Sequence, residues 1–196
     1  MSGSGRGIRL LVGLGNPGDQ YALTRHNVGF WFADCVAAEA RATFRAEAKF
    51  QGHLCRVTIG GEDVRVLKPS TYMNRSGQSI AAVARFYSIP AEEILVAHDE
   101  LDHPVGQIRL KQGGGHAGHN GLRDTISALG TRDFWRLRIG IDHPGDRALV
   151  TGYVLGRPSK VDGEQLLTAL DAARRGLEDV VAGRFQLAMN RLHSSP

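Results

Sequence analysis

Residues Leu10 to Phe30, LLVGLGNPGDQYALTRHNVGF, limit the architecture more than any other stretch of the chain. A short apolar run stops at Gly13, breaks through Gly15, Asn16, Pro17 and Gly18, and resumes as an amphipathic pattern. An apolar run ended by glycine and proline reads as a buried strand leading into a loop. Tyr21, Arg25, His26 and Asn27 stand in that loop without a packing task, and loops held by rigid strands are where binding and catalytic groups concentrate. Taken alone, His26 equally fits a histidine that merely satisfies nearby backbone groups.

Further along, strand and helix signals alternate. Val28, Trp31, Phe32, Cys35, Val36 and Glu39 fall at helical spacing, with Asn27 expected as the N-cap. Leu54–Ile59 and Val64–Leu67 are β-rich runs joined at Gly60–Gly61, a hairpin signal. A loop, Lys68 to Asn74, precedes a helix with Ile80, Val83, Ala84 and Tyr87 on one face and Pro90 past its end. Ile94–Ala97 reads as a central strand that delivers His98, Asp99, Glu100 and Asp102 at its carboxyl end.

Ile108 and Leu110 alternate with Arg109 and Lys111, and Trp135, Leu137, Ile139 and Ile141 alternate with Arg136 and Arg138. Both patterns predict strands with cations on the outward face. Between them, a glycine-rich loop from Gly113 to Gly121 runs into a helix carrying Leu122, Ile126 and Leu129. A long helix is expected from Val161 to Ala182, ended by Gly183. Interleaved strands and helices predict an α/β fold with a mixed, largely parallel sheet flanked by helices. No repeat or linker divides the chain, so a leader over residues 1–7 and one catalytic domain over 8–196 are expected.

The 196 residues suffice for a sizeable core, and no apolar run approaches the ~18 needed to span a bilayer. The N-terminus lacks the apolar core of a signal peptide, and two cysteines in so long a chain fit a reducing cytoplasm. Cys35 lies on an apolar stripe and reads as core, not as a nucleophile. The net charge of +4 suits a polyanionic partner, although many proteins with that excess bind none.

Three motif readings compete. Gly13-x-Gly15-x-x-Gly18 matches the dinucleotide fingerprint in letters. That fingerprint needs a helix at once and an acid closing a second strand ~20 residues on, whereas Asp34 sits inside a helical pattern. His116-x-x-His119, near His98, Asp99 and Asp102, suggests metal ligands, but a pair among glycines has no helix to aim both rings. The third constellation is the informative one. Asn16, Asn74, Asp99 and Asn120 each follow an expected strand, and in open α/β sheets such ends converge on one crevice. Carboxamides there offer donors and acceptors to a peptide backbone, while Asp99 could hold the His26 ring so that its other nitrogen accepts a proton from water. The plain alternative is that the asparagines only cap helices and turns.

The blocks that carry these residues resemble the bacterial peptidyl-tRNA hydrolase family: Asn16-Pro17-Gly18-x-x-Tyr21-x-x-Thr24-Arg25-His26-Asn27-x-Gly29, Lys68-Pro69-x-Thr71-Tyr72-Met73-Asn74-x-Ser76-Gly77, His98-Asp99-Glu100-Leu101-Asp102, Gly113-Gly114-Gly115-His116-x-Gly118-His119-Asn120-Gly121-Leu122 and Arg136-Leu137-Arg138-Ile139-Gly140-Ile141. The resemblance runs from about Ile8 to His193 and departs little: a short extra leader, and Tyr72 where some members carry phenylalanine. It implies hydrolysis of the ester joining a peptide to the 3′ ribose of tRNA, on a single α/β domain acting as a monomer. It implies no cofactor, no metal and no membrane. By the resemblance, His26 is the general base and Asp99 supports it. Asn16 separates blocked from free aminoacyl groups, and Tyr21, Tyr72, Asn74 and Asn120 contact the 3′ end and the peptide. From the strand patterns, Arg109, Lys111 and Arg138 are expected to reach phosphates of the tRNA body. The competing class is an RNA-binding protein without catalysis, which a turnover assay would separate.

Overall fold

The computed structural model describes residues 6–194, so most of the expected leader, residues 1–5, lies outside the described residues. One seven-stranded sheet organises the chain: β1 (Leu10–Gly13), β2 (Arg45–Glu47), β3 (Gly52–Ile59), β4 (Glu62–Pro69), β5 (Ile94–Glu100), β6 (Ile108–Gln112) and β7 (Trp135–Gly140), in the order β2-β3-β4-β1-β5-β7-β6. The centre, β4-β1-β5-β7, is parallel, and β2–β3–β4 and β7–β6 pair antiparallel at the two ends. The mixed, largely parallel sheet anticipated from the strand–helix alternation is therefore present. The Gly60–Gly61 turn carries φ of 58° and 82°, the left-handed conformation that a two-residue hairpin between β3 and β4 demands.

Helices cover both faces: α1 (Val28–Glu39), α2 (Ser76–Phe86), α3 (Asn120–Leu129), α4 (Val150–Val154), α5 (Lys160–Arg175), α6 (Leu177–Val181) and α7 (Phe185–Ser194). The two-residue period of the strands divides the core. Leu10, Val12, Ile94 and Val96 join the layer with Ile80 and Val83 of α2 and Leu122 of α3. Leu11, Leu95 and Ala97 face Phe32 and Val36 of α1 and Leu166, Leu170 and Val180 of the C-terminal helices. Both parallel central strands are buried on their two sides, which is why they read as unbroken apolar runs.

Two expectations need correction here. The long helix from Val161 to Ala182 is broken at Gly176 into α5 and α6, and Gly183 (φ 80°) ends the second piece in the left-handed turn anticipated for it. The further helix α7 was not anticipated, because its apolar face is short. It packs across β7 and edge strand β6, through Trp135–Phe185 ring stacking (3.9 Å) on the first and a Leu110 N–H donated to His193 Nε2 (3.0 Å) on the second. That contact covers part of an otherwise open strand edge.

The glycines of the false dinucleotide fingerprint serve packing. A Cβ on Gly13 would lie 2.1 Å from the Gly29 carbonyl, and one on Gly29 would lie 2.4 Å from the Ala97 carbonyl, so α1 can approach β1 and β5 only with glycine at both places. Asp34 lies within α1, not at the end of a second strand, and pairs with Lys68 of β4 (2.6 Å). Cys35 is half-buried and Cys55 buried; both are free, and burial pushes both thiols up, Cys55 to about 11, which leaves neither a ready nucleophile.

Candidate active site

The carboxyl ends of β1, β4 and β5 open into a cavity of about 1150 Å³ lined by Asn16, His26, Tyr72, Asn74, Asp99 and Asn120, with His119, Lys111, Arg136 and Arg138 at its walls. The four residues expected to converge, Asn16, Asn74, Asp99 and Asn120, all line it. This is the strand-end crevice that open α/β sheets offer.

Asp99, at the end of β5, is its electrostatic centre. The carboxylate is buried and receives two histidines: His26 Nδ1 at 2.9 Å on Oδ2 and His119 Nε2 at 2.8 Å on Oδ1. The tautomer of His119 follows from its other nitrogen. His119 is the N-cap of α3, and its Nδ1 accepts the Gly121 and Leu122 N–H groups at 3.1 and 3.3 Å. Nδ1 therefore carries no proton, Nε2 does, and His119 can only donate to Asp99. His26 must likewise donate from Nδ1, because a carboxylate only accepts. Its Nε2 is left as a base toward the cavity, with no partner among the described residues.

Burial alone would raise the Asp99 carboxyl, but the two histidines outweigh it and hold Asp99 well below the usual carboxylate range. Burial opposes protonation of His26, and the charge and hydrogen bond of Asp99 reverse that, so its pKa lies above 6.5. His98 takes no part in this. Burial, helped by neighbouring His119, pushes it down to about 3, and its Nδ1 donates to the Asp99 carbonyl at 2.8 Å.

Asn27 occupies the expected N-cap position of α1, but its side chain makes no cap hydrogen bond. Its side chain grips the backbone of Asn16 at both ends, accepting the Asn16 N–H and donating to the Asn16 carbonyl, each at 2.9 Å. Asn16 Oδ1 in turn accepts the Met73 N–H at 2.7 Å. Among the described residues the Asn16 side-chain N–H groups have no partner, so they remain for a ligand. Asn16 is thus a fixed donor, locked between the β1 and β4 loops. Asn74 and Tyr72 are exposed at the rim, and Asn120 opens α3. Tyr21 stands outside the cavity wall, with its ring edge-on to Tyr72 at 6.4 Å.

The cations divide differently from the simple alternation. Arg109 lies opposite Arg138 and Lys111 opposite Arg136 across β6–β7, a pairing of like charges that needs counter-charge. Arg136 is not outward: it is buried, donating Nη1 and Nη2 to the carbonyls of Gly115 (2.5 Å) and Gly114 (2.6 Å), which braces the loop that leads to His119. Burial, then Arg138 and Arg132, lower its pKa to about 10, so it stays charged near neutrality. Arg138 donates to Glu100 at 2.8 Å. Lys111 is exposed at the cavity, and Arg109 does not line it.

The peptidyl-tRNA hydrolase family model matches residues 10–196. The chain belongs to the peptidyl-tRNA hydrolase family. The peptidyl-tRNA hydrolase of Neisseria meningitidis serogroup C is 54% identical over 187 residues, covering 95% of this chain and 97% of that protein. The peptidyl-tRNA hydrolase of Marinobacter nauticus is 56% identical, covering 95% of each. The crystal structure of the Acinetobacter baumannii peptidyl-tRNA hydrolase superposes with a TM-score of 0.93 at 49% identity, covering 95% of both chains.

Within this family member, sequence reasoning missed His119. The sequence leaves it as one of two loop histidines, with metal ligation disfavoured; His116 also lines the cavity, but its Nδ1 accepts the Gly118 N–H at 3.0 Å. A signal was available, since His119 immediately precedes a helical pattern and an imidazole nitrogen there can cap it. His26, Asp99 and His119 do bring ligand atoms within 4.8 Å of one another. Their hydrogen bonds already use the nitrogens and oxygens that an ion would need. Among the described residues no helix is long and apolar enough to cross a membrane.

Proposed function

We propose that this chain cleaves the ester between a peptide and the 3′ ribose of tRNA, with His26 as general base and Asp99 as its support. The carrying observation is the shared carboxylate, which commits Nδ1 of His26 and frees Nε2 toward the cavity. Water beside His26 loses a proton to Nε2 as its oxygen attacks the ester carbonyl carbon. The imidazolium so formed faces the Asp99 charge. Collapse breaks the bond to the 3′ oxygen, which takes the proton back from Nε2 and leaves with the tRNA. Family membership supports the reading, and an RNA-binding role without catalysis is not favoured. The reaction as written calls on no metal or cofactor. We place the enzyme in the cytoplasm as a monomer, residues 8–196 forming its one catalytic domain.

The fixed orientation of Asn16 refines its role. A donor amide can meet the acyl carbonyl of a blocked substrate, whereas a free α-ammonium offers it only further donors. An unpaired polar group in a closed site costs ~1–3 kcal/mol, enough for roughly tenfold discrimination or more. Asn16→Ala is expected to narrow the ratio of kcat/KM between blocked and free aminoacyl-tRNA. Equal losses on both substrates would reduce Asn16 to a structural tie. Tyr72, Asn74 and Asn120 are read as contacts for the 3′ end and peptide, with Tyr21 supporting Tyr72.

For the tRNA body, Lys111 and Arg138 are proposed phosphate contacts at the cavity edge, with Arg109 farther along the same strand face. Lys111→Gln is expected to raise KM for whole peptidyl-tRNA and reduce the slope of log KM against log salt by about 1. Arg138→Gln should change the slope less, because its guanidinium is already held by Glu100. A minimal substrate with only the terminal nucleotide should ignore both changes. Equal effects on the two substrates would move these cations into the catalytic crevice.

A further inference from the structure

The residue before the catalytic histidine carries an interaction that the hydrolytic chemistry does not use. Arg25 and His26 share a single 3-10 turn, Arg25–Asn27, but their side chains diverge. Arg25 Nη1 donates to the Tyr153 carbonyl at 3.0 Å, its guanidinium carbon lies 3.9 Å above the Tyr153 ring, and its backbone N–H donates to the Gly156 carbonyl at 3.0 Å. Tyr153 is fastened at its other end, its hydroxyl donating to the Ile141 carbonyl at 2.5 Å. A Cβ on Gly156 would come within 3.1 Å of Arg25 Nη1, so the fit at that end is close. These ties hold both ends of the segment between Ile141 and Gly156, whose middle, residues 145–149, is exposed.

That segment forms one wall of the cavity. Val150, Val154 and Leu155 contribute apolar surface from α4 and its end, whereas Lys111, Arg136 and Arg138 enter from β6 and β7. The cavity is therefore chemically two-sided, with the apolar α4 wall placed relative to His26 by the residue next to it.

We propose that Arg25 is a positioning residue that sets the α4 wall against His26 and thereby fits the apolar side chain at the peptide end of the substrate. The proposal rests on the reading of the site as a peptidyl-tRNA hydrolase centre. Arginine suits the task because one planar group both stacks on an aromatic face and donates to a carbonyl in line with it; lysine keeps the charge but not the fork. An apolar contact that loses its register costs selectivity between side chains more than it costs proton transfer, because His26 and Asp99 are untouched.

The test uses the full-length enzyme, its Arg25→Gln, Arg25→Lys and Tyr153→Leu variants, and two peptidyl-tRNAs that differ only in the last residue of the peptide, leucine or glycine. Each variant is expected to raise KM for the leucyl substrate roughly tenfold and for the glycyl substrate less than about twofold. The Arg25→Gln/Tyr153→Leu double variant should lose less than the two single losses combined, since both remove the guanidinium–ring stack, while only the first loses the bond to the Tyr153 carbonyl and only the second the bond to Ile141. The acid limb of the pH–rate profile should not move, and amide exchange across residues 142–156 should quicken in every variant. Equal rises for both substrates, unchanged exchange in that segment or a shifted acid limb would each overturn the proposal. Wild-type protein that turned over neither substrate would defeat the hydrolase reading itself, and this inference with it.

Discussion

Replacing His26 with alanine is expected to lower kcat by roughly 10²–10⁴-fold, the range a general base commands. The fold should survive, because among the described residues the side chain hydrogen-bonds to Asp99 alone and lies at the cavity beside the His119 ring, not in either core layer. In the wild type, the base must be neutral to accept a proton from water. Activity should therefore rise with pH through a limb above 6.5, since Asp99 raises the pKa of His26. Exhaustive chelation should leave the rate unchanged. Activity abolished by chelation but retained in His26→Ala would refute the mechanism.

Asp99→Asn should be nearly as damaging, although it changes one atom's chemistry and little volume. The carboxylate accepts from both histidines. A carboxamide has one oxygen and one amide nitrogen, so it can accept from only one of them. His119 cannot yield, because the Gly121 and Leu122 N–H groups occupy its Nδ1 and keep the proton on Nε2. The oxygen is then drawn to His119, and the amide faces His26. Nδ1 of His26 must accept, the proton moves to Nε2, and the nitrogen toward the cavity becomes a donor that cannot take a proton from water. The expected loss in kcat is on the order of 10²–10⁴, comparable to losing the base. Removing the negative charge also lowers the pKa of His26, so the residual acid limb should shift to lower pH. A thermal melt close to wild type would confirm that chemistry and not folding was lost. An unchanged pH–rate profile with near-normal kcat would leave Asp99 a structural residue.

Much of this protein was legible in the chain because its signals are local. The apolar runs Leu10–Gly13 and Ile94–Ala97 could be read as central strands because both of their faces are buried. Gly60–Gly61 announced a hairpin because only such residues adopt its positive φ angles without cost. The convergence of Asn16, Asn74 and Asp99 could be read from their places at the ends of parallel strands, whereas Asn120 follows the antiparallel β6 and reaches the crevice only because the glycine loop folds back over Arg136.

What the tertiary structure alone decided is where each polar group spends its hydrogen bonds, since partners far apart in sequence leave no periodic trace. Asn27 looked like a helix cap but holds the Asn16 backbone, and the amide orientation of Asn16 depends on Met73, 57 positions away. Alternation placed Arg136 and Arg138 on one strand face, but whether that face met solvent depended on the glycine loop folding back over Arg136. His119 shows the limit most plainly. Its residue type and spacing fitted a metal ligand, a loop histidine or a cap alike. Only the meeting of the α3 terminus with the end of β5, which puts one imidazole nitrogen on the helix N–H groups and the other on Asp99, determines its tautomer and, through the shared carboxylate, that of His26.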